Sequence, residues 1–142
     1  MDLDLARATI IVDAAIAKAR ETSTKPQAVA VVDTGGHVIV VKREDNAGFL
    51  YVDMAIGKAW ASVSMRRPAG VTGERLMERP GVMSVIGQIS GGRFMPAGGG
   101  VLIRDAEGRL LGAVGVAGDV APKDEVCAIA GIEAAGLKAE AR

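Results

Sequence analysis

G-G-G-V-L-I-R-D-A-E-G-R-L-L-G-A-V-G-V-A-G, residues 98–118, decides how this chain folds. Two short apolar runs flank a D-A-E-G turn, the pattern of a β-hairpin. Glycine recurs at Gly108, Gly112, Gly115 and Gly118. Strands with such glycines allow a ligand or another backbone to approach closely. A helix follows at once. Pro122 suits its first position, and Asp124 and Glu125 complement the positive end of its dipole. The pattern carries this helix to about Lys138.

Upstream of the hairpin, residues 94–96 suggest a brief strand, and 82–89 fit a short helix or a strand. Residues 71–79 suggest a short helix, stopped by Pro80-Gly81. Val52, Ala55, Ile56, Ala59, Trp60 and Val63 recur at helical spacing and predict a helix to about Met65, which Pro68 terminates. Before it, Q-A-V-A-V-V-D at 27–33 and H-V-I-V-V-K-R at 37–43 make a second hairpin around D-T-G-G. Both strands are apolar enough to predict central positions covered on both faces. Leu5, Ala8, Val12, Ala15, Ile16 and Ala19 place a first helix over 4–21, broken at 22–26. Helix, hairpin, helix, irregular segment, hairpin, helix is an α+β order with an antiparallel sheet. No linker or repeat divides residues 1–142, so a single domain is expected.

Composition narrows the function. Aromatic residues are 3% of the chain, too few to offer stacking platforms for single-stranded nucleic acid. Seventeen basic residues balance 17 acidic ones, leaving no basic footprint for nucleic acid or an anionic membrane. Zero net charge with a mean hydropathy of +0.27 points instead to buried contacts between subunits, a homo-oligomer. Cys127 is the only cysteine, so no internal disulfide can form. Its place in the last helix suits a small buried hydrophobe, with a reactive thiol as the alternative. Met1-Asp2-Leu3-Asp4 lacks the basic segment of a secretory signal, and no apolar run reaches the ~20 residues of a membrane span. A cytoplasmic location is expected.

Several landmarks then line up in order. They are V-A-V-V-D-T-G-G-H at 29–37, D-M-A-I-G-K-A-W at 53–60 with Arg66-Arg67-Pro68 after it, and S-G-G at 90–92. P-A-G-G-G-V-L-I at 96–103, G-A-V-G-V-A-G at 112–118 and D-E-V-C-A-I-A-G at 124–131 complete the series. Together they resemble the GlcG/HbpS family, over about residues 3–137. The resemblance implies a profilin-like fold, a five-stranded antiparallel sheet with helices on both faces, assembled from dimer to octamer. It also implies haem binding or degradation in some members, and action on muconate-like ring-cleavage products in others. The chain departs from the family pattern at Gly99-Gly100-Val101-Leu102-Ile103, where members commonly have G-G-L-P-I. It departs again at Ala117-Gly118-Asp119, where many carry S-G-G or S-G-A.

The residues able to carry chemistry are few. His37, the only histidine, is either an axial haem ligand or general base, or else a residue satisfying its turn. Met65, Met77, Met83 or Met95 could add a second ligand. Asp33 is either a general base or a turn acceptor. Lys58, Arg66 and Arg67 offer an anion clamp for ligand carboxylates, or simply complement a helix C-terminus. Gly98, Gly99 and Gly100 offer backbone N–H groups to an anion, or allow close packing. Glu125 offers proton transfer if its helix end faces a ligand, and otherwise serves the dipole. Two functions are expected from this set. One is binding of a planar carboxylated ligand, haem foremost, with His37 on iron and Arg66 and Arg67 on carboxylates. The other is acid–base catalysis on a small unsaturated dicarboxylate through Asp33, His37 or Glu125, which would hydrolyse, deaminate or isomerise it.

Overall fold

The computed structural model describes residues 2–142; Met1 of the N-terminal quartet lies outside it. Ten elements follow one another: α1 (Leu5–Glu21), β1 (Ala28–Asp33), β2 (Val38–Arg43), α2 (Leu50–Met65), α3 (Ala69–Met77), α4 (Pro80–Ile89), β3 (Gly100–Arg104), β4 (Leu110–Ala117), α5 (Ala121–Ala134) and β5 (Lys138–Glu140). The strands form one sheet in the order β2-β1-β4-β3-β5, every neighbouring pair antiparallel.

The side chains of the central strands explain the layers. Val29, Val31, Val101, Ile103, Val114 and Val116 point to one face and bury Ala8, Ile11, Val12 and Ala15 of α1 with Cys127, Ala128 and Ile132 of α5. The opposite face is built from smaller residues. Ala28, Ala30, Ala113 and Ala117 meet α2, with Val32 and Leu102 among them. Gly115 lies directly under the Ala55 carbonyl, where a Cβ would have no room. The seam of alanine and glycine thus lets α2 lie close on the sheet, and the valine face holds the bulkier layer.

Three expectations change. Val38–Arg43 is an edge strand and mostly open to solvent, so β2 is not central like β1. Ile39 and Val40 pack toward the α1–α5 layer and Val41 toward α2, but each stays only half-buried. Residues 94–96 are not a strand, and 82–89 belong to a helix. The last helix stops at Ala134 because Gly136, at φ 74°, turns the chain while Leu137 N–H donates to Ile132 O at 3.3 Å. Residues 135–137 form the turn, and Lys138, the expected helix end, instead opens β5 along β3, at the other edge of the sheet.

Candidate functional site

The turn between β1 and β2 is built around one carboxylate. Asp33 Oδ1 accepts from Gly35 N–H at 2.9 Å and His37 N–H at 3.0 Å. His37 Nδ1 lies 3.1 Å from the same oxygen. Burial pushes the Asp33 carboxyl up, but the two backbone donors and the His37 ring outweigh it and hold it below its ordinary value. A depressed carboxyl suits orientation of the imidazole better than proton abstraction. The His37 side chain is 81% exposed, and its Nε2 has no hydrogen-bond partner among the described residues.

This turn rests on Trp60. Gly36, at φ 81°, passes so close that a Cβ there would sit 2.7 Å from Trp60 Cδ1 and Nε1. Trp60 meets Phe94 edge to face at 6.5 Å between ring centroids. Arg93 lies over the indole, its guanidinium carbon 4.7 Å from the ring centroid. Beside Trp60 opens an apolar cleft of about 240 Å³, walled by Ser64 and Met65 of α2, Ile86 and Ile89 of α4, Ser90 and Phe94. Met65 is thus the one candidate methionine on this cleft; Met77 and Met83 line a different one, and Met95 packs at Gly57.

Arg66 and Arg67 follow Met65 directly. Arg66 caps α2 in the left-handed region at φ 52°, and Arg67 N–H donates to Ser62 O at 3.1 Å. Neither guanidinium has a carboxylate partner among the described residues. Lys58 does not join them. It lies mid-helix, its side chain 4% exposed, with Nζ 3.2 Å from Asp124 Oδ2 and 2.9 Å from Val116 O. Asp124 Oδ1 in turn accepts from Asp119 N–H at 3.1 Å. Burial dominates both partners, pushing the lysine down and the aspartate up despite their attraction. Gly99 closes over this pair, where a Cβ would stand 3.1 Å from Lys58 Nζ.

Gly98 and Glu125 meet elsewhere. They line a cleft of about 340 Å³ with Gly70, Gly73, Glu74 and Arg142. Arg142 bridges Glu74 at 3.2 Å and Glu125 at 3.8 Å. Asp33 pairs with Gly112 and Ala28 with Ala117, so the His37 turn and the start of α5 stand at opposite ends of β1, roughly 16 Å apart at strand spacing. Asp33 and His37 therefore share one site, and Glu125 belongs to another. Among the described residues no cluster of three His, Cys, Asp or Glu could hold a metal ion. Cys127 is fully buried, its thiol pushed up to about 11, chiefly by burial and then by Asp124.

The Trp60–Phe94–Arg93 group and the Lys58–Asp124 pair were not foreseen. Each joins residues far apart in sequence; the scarcity of aromatic residues was the only signal for the first.

Comparison with known proteins places these observations among relatives. The family model described as "Haem degrading protein HbpS-like" matches residues 3–133. A 15.0 kDa protein from the dhaT-dhaS intergenic region of Citrobacter freundii is 29% identical over 126 residues, covering 89% of this chain and 87% of that protein. A double mutant of HbpS from Streptomyces reticuli is 30% identical with a TM-score of 0.80, over 94% of this chain and 86% of that one. A PduOC:heme complex superimposes with a TM-score of 0.86 over 99% of both chains; at 23% identity this likeness shows the fold alone.

Proposed function

Since the chain belongs to the HbpS-like family of haem-degrading proteins, we propose that it binds haem at the cleft beside Trp60. The observation that carries this reading is the His37 turn seated on Trp60, itself a wall of the apolar recess. His37 presents a free Nε2 on a ring whose Nδ1 is held by Asp33, the arrangement that orients a ligating imidazole. Trp60, Met65, Ile86, Ile89 and Phe94 supply the apolar wall, and Arg66 and Arg67 remain unpaired for carboxylates. When bound, haem supplies iron-centred ligand and redox chemistry. The chain's part is to offer His37 Nε2 to the iron and to keep one edge of the ring from water.

At about 240 Å³ the cleft falls below the roughly 300 Å³ from which small-molecule pockets usually start. A whole porphyrin cannot be enclosed by one copy, so a second copy of the chain covers the exposed remainder in this reading. The dicarboxylate reading fares less well, because two glutamates against one arginine in the Glu125 cleft repel a dianion.

Titrating hemin into the purified protein tests the proposal. A saturable, sharpened Soret band that His37→Ala abolishes is the expected result. A broad, non-saturating change, or a band indifferent to His37→Ala, overturns it.

A further inference from the structure

Building on the haem reading, we propose that Arg93 receives a carboxylate of the bound ring and so makes the site select acids over their esters. Three observations support this. The S-G-G segment at 90–92 reverses the chain after α4, with Gly91 at φ 66° and Gly92 at φ 79°, and brings Arg93 and Phe94 back onto Trp60. Arg93 Nε donates to Ser90 O at 2.7 Å, while both terminal nitrogens of the guanidinium have no partner among the described residues. Asp53 shares the neighbouring depression with Arg93 but forms no ion pair with it.

Arg93 is therefore already held against Trp60, at the border between the apolar cleft and the depression that it lines with Asp53, in a planar, stacked pose with its fork unspent. A guanidinium fixed in advance loses less freedom on pairing with a carboxylate than one free to move. Arg66 and Arg67 lack that anchoring: their side chains make no hydrogen bond among the described residues. The three arginines are thus unequal, and the anchored Arg93 is the better receiver.

Trp60 is the only tryptophan, so its emission reports this site alone. The experiment titrates hemin and hemin dimethyl ester into wild-type protein, Arg93→Gln and Arg66→Gln, following Trp60 quenching and the Soret band together. Arg93→Gln is expected to weaken hemin about tenfold or more, the scale of a charged hydrogen bond, and to leave the diester unchanged. Arg93→Lys should recover only part of the loss, since it restores charge without the fork. Equal weakening of both ligands would make Arg93 a packing residue and overturn the proposal. So would a selectivity that follows Arg66. If the wild type takes up the diester and hemin equally, Arg93 has no such role, though haem binding stands. If it takes up neither, the haem reading itself falls.

Discussion

At the scale of single residues, the chemistry of this protein depends on how side chains are held. His37 alone could bind a metal or do nothing; the Asp33 carboxylate, gripped by two backbone N–H groups, is what aims it. Asp33→Asn tests that grip. The folded carboxyl is held below 3.8, so its contribution is present above that value and lost as pH falls through the lower, folded one. Wild type should therefore be more stable than Asp33→Asn at neutral pH, and the gap in urea midpoint should close below about pH 3.8. A gap that stays constant to pH 2 would assign the difference to shape rather than charge. Cys127 makes the opposite case. Raised to about 11 and fully buried, it should not react with a thiol reagent at pH 8 until denaturant is added. Rapid labelling of the native protein would mean that the α1–α5 layer opens readily.

At the scale of elements, the Lys58–Asp124 pair fastens α2 to the first turn of α5 and to the end of β4. Removing one partner strands a buried charge, so Lys58→Met should cost about 3–5 kcal/mol. Lys58→Met/Asp124→Leu should recover most of this, short by about 1–2 kcal/mol for the orphaned Asp119 N–H. The pH dependence has a definite sign. Asp124 is raised in the folded protein, so the folded state takes up its proton more readily than the unfolded chain. Lys58→Met should accordingly regain stability as pH falls through that raised value. Urea melts at three pH values would decide; a single mutant no weaker than the double would remove the pair from the account. How legible such features were in the sequence follows from their range. α1 was readable because its caps and apolar stripe are local: Asp4 accepts from Arg7 N–H at 2.8 Å, and Ala8, Ile11, Val12, Ala15 and Ala19 line one face. The two hairpins were readable from their turns. β5 was hidden because Lys138–Glu140 is only three residues long and gains its pattern from β3, yet Gly136 was a visible stop. The exposure of β2 was hidden too, since strand order decides it. Lys58 reads as a surface cation beside Arg66 until the fold puts Asp124 against it.

At the scale of the whole molecule, what matters is the surface one copy leaves uncovered. α4 is ten residues long and has no fully buried residue, although it reads P-G-V-M-S-V-I-G-Q-I. Val85 is 54% exposed and Ile89 78%, and Met77 of the preceding helix is 76% exposed, so α3 and α4 leave large apolar side chains open to solvent. No net charge offsets this, the condition under which association is favoured. The same helix walls the cleft beside Trp60 through Ile86 and Ile89. If a second copy covers α4, assembly and ligand enclosure are one event. Light scattering should then give a mass that is a multiple of 14.6 kDa. Val85→Glu is the informative variant, because Val85 lies on α4 but does not line the cleft. It should lower the mass and weaken hemin together. Hemin bound as tightly by a monomeric Val85→Glu protein would show that one copy suffices, and a wild type already monomeric would leave the cleft open at one side. The direction of coupling can also be read without mutation. Anything that binds the assembled form alone must favour assembly. Adding hemin to dilute protein should therefore raise the measured mass, and the ester should do so less.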